Sequence, residues 1–185
     1  RADRHARLDD QARPLRELTL NAIDLNIRSI KANVEISDFE MTPKGLEIAF
    51  DPPVDPGRRV ELAIDYEAQP KKGLYFRTPE LGFPEEDIHI WTQGEPHEAR
   101  HWFPSIDYPN ERFTSEVICH VPEEMTVLSN GQLVGRQNEP EGMKLVHWRQ
   151  DKPHVNYLIA LAAGRLDKLE GQYRDIPLGF YTPKS

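Results

Sequence analysis

The chain has 185 residues, 38% of them hydrophobic, enough for a core that stands without disulfides or metal and too apolar for a disordered chain. Its 23 basic against 31 acidic residues give a net charge of −8, a field that repels phosphate backbones and argues against a nucleic-acid partner. The longest apolar run, Leu158 to Ala163, is far below the roughly 20 residues of a membrane span, no charged-then-apolar leader opens the chain, and one cysteine, Cys119, fits a reducing, cytoplasmic compartment.

Arg1 to Arg13 is charged and aperiodic and reads as a frayed edge strand or loop; a first residue other than Met suggests a piece of a longer product. From there the pattern is all-β. Leu18 and Leu20 alternate with Thr19 and Asn21, strands follow at residues 27–36 and 46–50, and Val60, Leu62, Ile64 and Tyr66 alternate with Glu61, Ala63 and Asp65. A strand over 87–93 leads into the densest part of the sequence. Beyond it, Phe113, Ser115, Val117, Cys119 and Val121 oppose Thr114, Glu116, Ile118 and His120, and further strands are predicted at 143–149, 155–164 and 178–182. Asp51-Pro52-Pro53, Asp55-Pro56-Gly57, Asn130-Gly131 and Glu141-Gly142 are the turns between them. Sixteen prolines, about 9% against a usual ~5%, leave few windows for helices. The expectation is one all-β domain over 1–185, a two-sheet sandwich or saddle-like pair of sheets, with a short helical turn near residues 96–103.

The segment from Ile90 to Pro109 can be read in three ways. His97-Glu98-Ala99-Arg100-His101 is a literal HExxH, which on a helix puts two imidazoles on one face and a glutamate beside a metal-bound water. Pro96 and Pro104 confine any helix there to about two turns. A third ligand would have to come from His120, Glu123 or Glu124. A histidine-rich surface turn explains the same letters. In the second reading residues 87–95 are extended, so that His89, Trp91, Gln93 and Glu95 face one way and Ile88, Ile90 and Thr92 the other. Gln93 and Glu95 then offer an amide and a carboxylate to a cationic group, with Gly94 allowing close approach. The third reading is structure alone, a solvated strand end.

The run Thr92-Gln93-Gly94-Glu95-Pro96 through Pro109 resembles the signature of the amino-terminal domain of the aminopeptidase N and leukotriene hydrolase family of zinc metallopeptidases, approximately TQ-x-E-P-x-x-A-R-x-x-F-P-x-x-D-x-P. The match falls at Thr92, Gln93, Glu95, Pro96, Ala99, Arg100, Phe103, Pro104, Asp107 and Pro109. Gly73-Leu74-Tyr75, Val127 to Gly131 and Tyr157 to Gly164 are similar to that domain in order and spacing, whereas residues 1–15 depart from it.

The resemblance implies a fragment whose zinc cofactor, general base and exopeptidase motif lie in a catalytic domain beyond this chain. It puts His97, Glu98 and His101 outside the metal site, their match being coincidental, and gives this chain no catalytic residue. It implies that Glu95 meets the α-ammonium of a peptide amino terminus and that Gln93 shapes the first side-chain pocket. The partners are then a peptide amino terminus and the protein's own catalytic domain, and the isolated chain is expected to be inactive. Arg100 and Asp107 read as a partly buried pair pinning a turn rather than as catalytic groups, Trp102 and Phe103 as core, Cys119 as a small buried hydrophobe, and Tyr75 as packing or, alternatively, an edge of the substrate site. Two alternatives stay open. One is a β-module for protein contacts, since some relatives, a subunit of the general transcription machinery among them, have lost peptidase chemistry; the other is a small independent zinc hydrolase built on HEARH.

Overall fold

The structure, a computed structural model, describes residues 13–183; the frayed opening expected over 1–13 lies outside them save for Arg13. The all-β expectation holds. In chain order the strands are β1 (Leu15–Leu20), β2 (Leu25–Ala32), β3 (Ile36–Thr42), β4 (Gly45–Val54) and β5 (Leu62–Ala68). They continue with β6 (Leu74–Arg77), β7 (His89–Thr92), β8 (Phe113–Pro122), β9 (Thr126–Ser129) and β10 (Gln132–Glu139). The last are β11 (Met143–His154), β12 (Leu161–Gly164), β13 (Leu166–Tyr173) and β14 (Ile176–Pro183). The helical content of the described residues is short 3-10 turns, none long enough to cross a membrane.

The chain divides into two compact units. The first comprises Arg1–Leu74, Gln93–Ser115 and Asp151–Ile159. Its three-stranded sheet has the order β1-β4-β3, all antiparallel, and β2 pairs with β5 in a second, two-stranded sheet. β4 is central because its alternation is strict. Leu46, Ile48 and Phe50 are buried to 3% exposure or less, each contributing about 1.5–3 kcal/mol on leaving water. They join Leu20, Ala22, Leu25 and Val54 in one core, against which Leu62, Ile64 and Tyr66 of β5 pack. Burial pushes the Tyr66 phenol up to about 12, and its hydroxyl donates to the Trp102 carbonyl at 2.9 Å.

Two expectations are corrected here. The turn at Asp51-Pro52-Pro53 is strand: β4 runs through it, and its pairing with β1 jumps from Glu17↔Ala49 to Leu15↔Val54. The prolines sit in that bulge, where no ladder N–H is required. The single strand over 27–36 is two, because the bend at residues 33–35 starts a new edge strand, β3.

The second unit comprises Tyr75–Thr92, Glu116–Gln150 and Ala160–Ser185. One sheet has the order β6-β7-β12-β9, another β10-β11-β8, and β13 with β14 forms a two-stranded ribbon. Its core is Val121, Val127, Val146, Leu161 and Ala163, with Ile90, Val117, Cys119 and Trp148 packed on it. The Trp148 indole donates to the Val127 carbonyl at 3.1 Å. β8 presents Val117, Cys119 and Val121 inward as the alternation requires. Cys119 is half-buried rather than buried, and desolvation raises its thiol above the ordinary range. The strand expected over 155–164 is a 3-10 turn at Asn156–Leu158 followed by the short β12.

Candidate functional site

The segment with the most distinctive letters is not a long strand. β7 stops at Thr92, since its partner β12 pairs only as far as Ala162↔Trp91, and Thr92 Oγ1 accepts the Leu161 N–H at 2.8 Å. Residues 93–98 then form a separate strip held by the main chain. The Gln93 N–H donates to the Gly73 carbonyl at 3.0 Å, and the Glu98 N–H donates back to the Gly94 carbonyl at 2.8 Å, closing a turn around Glu95, Pro96 and His97. The Glu95–Pro96 peptide is cis.

Two glycines permit this close fit. Gly73 has φ +77, and a side chain there would meet the Glu98 carbonyl oxygen at 2.1 Å. Gly94 is buried, and a Cβ on it would lie 2.6 Å from the Tyr157 carbonyl oxygen. The side chains of Gln93 and Glu95, by contrast, are both exposed. Among the described residues neither the Gln93 amide nor the Glu95 carboxylate has a hydrogen-bond or ion-pair partner, so a donor and an acceptor are left open to a ligand. The expected placement is corrected in one respect: Gln93 and Glu95 belong to an irregular strip and a turn, not to the extended face that carries His89 and Trp91.

The same unit holds a buried polar cluster. Arg100 Nε donates to Asp107 Oδ2 at 2.6 Å, with Asp107 only 1% exposed. Asn156 Nδ2 donates to Asp107 Oδ1 at 2.6 Å and to Ser105 Oγ at 3.2 Å. The Asp107 N–H donates to Asn21 Oδ1 at 2.8 Å, and Asn21 and Ser105 exchange main-chain bonds of 2.7 and 3.1 Å. The sequence pointed to Arg100 and Asp107. It gave no sign of Asn21 and Asn156, which lie 86 and 49 residues from Asp107. Trp102 and Phe103, expected in the core, are half-buried and meet edge to face at 4.6 Å.

The letters of HExxH do not fall on an α-helix. Residues 95–98 are turn, and Ala99–His101 is a single 3-10 turn whose first residue is 1% exposed. Glu98 lies between Lys72 Nζ at 3.4 Å and His101 Nε2 at 3.5 Å, and His97 is exposed. The backbone therefore lacks the helical face that would bring both imidazoles to one metal ion. Of the third-ligand candidates, His120 pairs with Glu139 at 2.8 Å and Glu124 with Arg165 at 3.1 Å. Among the described residues no three His, Cys, Asp or Glu side chains are grouped to hold a metal.

In the second unit Tyr75 stacks on Trp91, ring centroids 5.5 Å apart. Trp91, Thr92, Leu128 and Leu161 also line a shallow hollow with Ser129 and Asn130. The polar atoms there are engaged: Ser129 Oγ donates to the Ala160 carbonyl at 2.7 Å, and Asn130 Oδ1 accepts the Ala160 N–H at 2.6 Å. That hollow is an apolar wall rather than a polar binding site.

The sequence profile described as the Peptidase M1 N-terminal domain matches residues 6–158. The chain is 28% identical to aminopeptidase N of Acetobacter pasteurianus over 185 aligned residues, covering 94% of this chain and 50% of that one. Its fold is similar to that of Legionella pneumophila aminopeptidase A in complex with aspartic acid, with TM-score 0.78 and 22% identity over 95% of this chain and 20% of that one. It is similar as well to a two-domain M1 zinc metallopeptidase bound to L-tryptophan, with TM-score 0.72 and 19% identity over 91% of this chain and 40% of that one. The chain thus spans half or less of the length of each of these proteins.

Proposed function

From the premise that this chain belongs to the peptidase M1 N-terminal domain family, we propose that it is the substrate-recognising β-domain of a zinc aminopeptidase. Glu95 binds the free α-ammonium of a peptide, and Gln93 shapes the pocket for the first side chain. Zinc and the general base belong to a separate catalytic domain, and this chain alone does not hydrolyse peptides. The observation that carries the reading is the contrast within the strip. Its main chain is pinned by bonds to Gly73 and Gly94 and lies close against Tyr157, while the Gln93 and Glu95 side chains are exposed and, among the described residues, unengaged.

The chemistry follows from charge. A peptide α-amine with a pKa near 8 is mostly protonated at neutral pH, and a fixed carboxylate makes short charge-assisted bonds to it. An internal peptide bond has no ammonium to offer, so the same carboxylate favours removal of terminal residues.

The test is made in the full-length parent protein. Glu95→Gln keeps the shape and removes the charge, and a lost hydrogen bond to a charged group of about 1.5–3 kcal/mol corresponds to a fall of roughly 10- to 150-fold in kcat/KM for unblocked peptides. Gln93→Ala should instead change the ranking of substrates by their first side chain. Unchanged kcat/KM in Glu95→Gln would overturn the assignment.

A further inference from the structure

The letters of HExxH play no part in the recognition reading, yet one of them, Glu98, is where three segments of the first unit meet. Its N–H donates to the Gly94 carbonyl at 2.8 Å, closing the turn that carries Glu95, and its carbonyl accepts the His101 N–H at 3.2 Å. The same carbonyl oxygen lies 2.1 Å from the place a Cβ on Gly73 would take. Gly73 in turn accepts the Gln93 N–H at 3.0 Å. The main-chain ties of the strip thus converge on residue 98 and on the glycine packed against it.

The side chain draws on the same neighbours. Glu98 Oε1 is 3.4 Å from Lys72 Nζ and Oε2 is 3.5 Å from His101 Nε2, so the carboxylate links the Lys72-Gly73 segment to the 3-10 turn. Oε2 is shut off from solvent and, among the described residues, accepts no hydrogen bond. A carboxylate withdrawn from water in this way adds little to stability, because the contacts it gains are long and its desolvation is costly. Its effect is on geometry. Glu95 is exposed and unengaged among the described residues, so the turn that residue 98 closes decides where the Glu95 carboxylate stands.

Resting on the function proposed above, we propose that Glu98 is a positioning residue for substrate recognition: its carboxylate, set between Lys72 and His101, fixes the turn from which Glu95 meets the peptide ammonium. Glu98 is not a second ammonium ligand, since both its oxygens face neighbours already in place. Those neighbours also occupy the nearest competing carboxylate and leave Glu95 as the open one in the strip. Position matters because charge-assisted bonds are short, and a misplacement of about 1 Å can cost up to ~100-fold in rate. Glu98 and His101 thereby have a role for which a 3-10 turn suffices.

In the full-length parent protein Glu98→Gln keeps the shape and cancels the hold on Lys72 and His101. KM for unblocked peptides is expected to rise about two- to fivefold, as for a partly exposed ion pair, with kcat held within about twofold. The deciding measurement is the double variant Glu95→Gln/Glu98→Gln. A residue that acts through Glu95 has nothing left to position once that charge is gone, so the double variant should match Glu95→Gln alone in kcat/KM. Losses that multiply overturn the proposal, because a general weakening of the fold, or repulsion of the ammonium by a freed Lys72, acts with or without Glu95. Lys72→Met, at a side chain 60% exposed, is the companion variant: KM should rise in the same way, with no further loss on combination with Glu98→Gln. An unchanged or lowered KM in Lys72→Met contradicts the proposal even if Glu98→Gln folds badly. A Glu95→Gln variant with full kcat/KM sinks the recognition reading and the positioning role with it. A large loss in Glu95→Gln beside a silent Glu98→Gln sinks the positioning role alone.

Discussion

The carboxylate of Asp107 is the most consequential polar group in the first unit, and replacing it gives a quantitative test. In Asp107→Asn the shape is kept, but the two N–H groups aimed at the side chain, Arg100 Nε at 2.6 Å and Asn156 Nδ2 at 2.6 Å, meet one acceptor and one donor instead of two acceptors. Removing one partner of a buried ion pair costs about 3–5 kcal/mol. Arg100 keeps 24% of its side chain in solvent, so water recovers part of its hydration and the lower figure applies, about 3 kcal/mol. For a chain of this size that corresponds to a fall in Tm of roughly 6–12 °C. Arg100→Met should cost more, about 4 kcal/mol, because it strands a carboxylate that is 1% exposed. The double variant Arg100→Met/Asp107→Leu should recover much of the loss, since an apolar pair leaves no charge behind. Urea unfolding of the parent, Arg100→Met, Asp107→Leu and the double variant closes the cycle. An Asp107→Asn variant within about 0.5 kcal/mol of the parent, or single losses that simply add in the double variant, would refute the reasoning.

Two further outcomes are expected. Gly94→Ala would put a methyl 2.6 Å from the Tyr157 carbonyl oxygen; the strip must move, with a loss of about 1–3 kcal/mol in thermal unfolding and a fall in the parent's kcat/KM although no side chain that binds substrate has changed. His154 has its pKa lowered from its ordinary 6.5, chiefly by burial, with Nε2 2.9 Å from Ser115 Oγ. A depressed histidine binds more protons unfolded than folded, so its stability is present above about pH 6.5 and is lost as pH falls from there toward its folded value. Tm measured from neutral to mildly acidic pH should therefore drop less in His154→Gln than in the parent, and identical profiles would contradict the assignment.

Much of the fold was legible where a strand has one buried and one wet face. Val117, Cys119 and Val121 alternate inward on β8, and Leu46, Ile48 and Phe50 on β4, as the pattern required. Strands wet on both faces were not legible. β3 and β10 are mostly exposed on both faces, so no period-2 signal exists to read. The prolines of β4 misled because a bulge and a turn use the same residues. Gln93 and Glu95 were singled out first by alternation along an extended 87–95, which the structure breaks at Thr92, and then by resemblance to a family motif. Asn156 was invisible because its meaning comes from Asp107, 49 positions away. The histidine letters show why spacing alone is insufficient: an i, i+4 pair shares a face only on an α-helix, and the backbone at Ala99–His101 is a 3-10 turn.

The grip on residues 93–98 has an evolutionary corollary. Main-chain bonds to Gly73 and Gly94 hold this shelf, with Tyr157 close against it, so exchanging the side chain at position 93 or 95 leaves these anchors intact. If the proposed function holds, a lineage could change at position 93 which terminal side chain is read with little risk to folding, while position 95 stays fixed by the ammonium it binds. The immovable letters are the plainest ones, Gly73, Gly94 and the enclosed Ala99, whose places leave no room for a larger side chain.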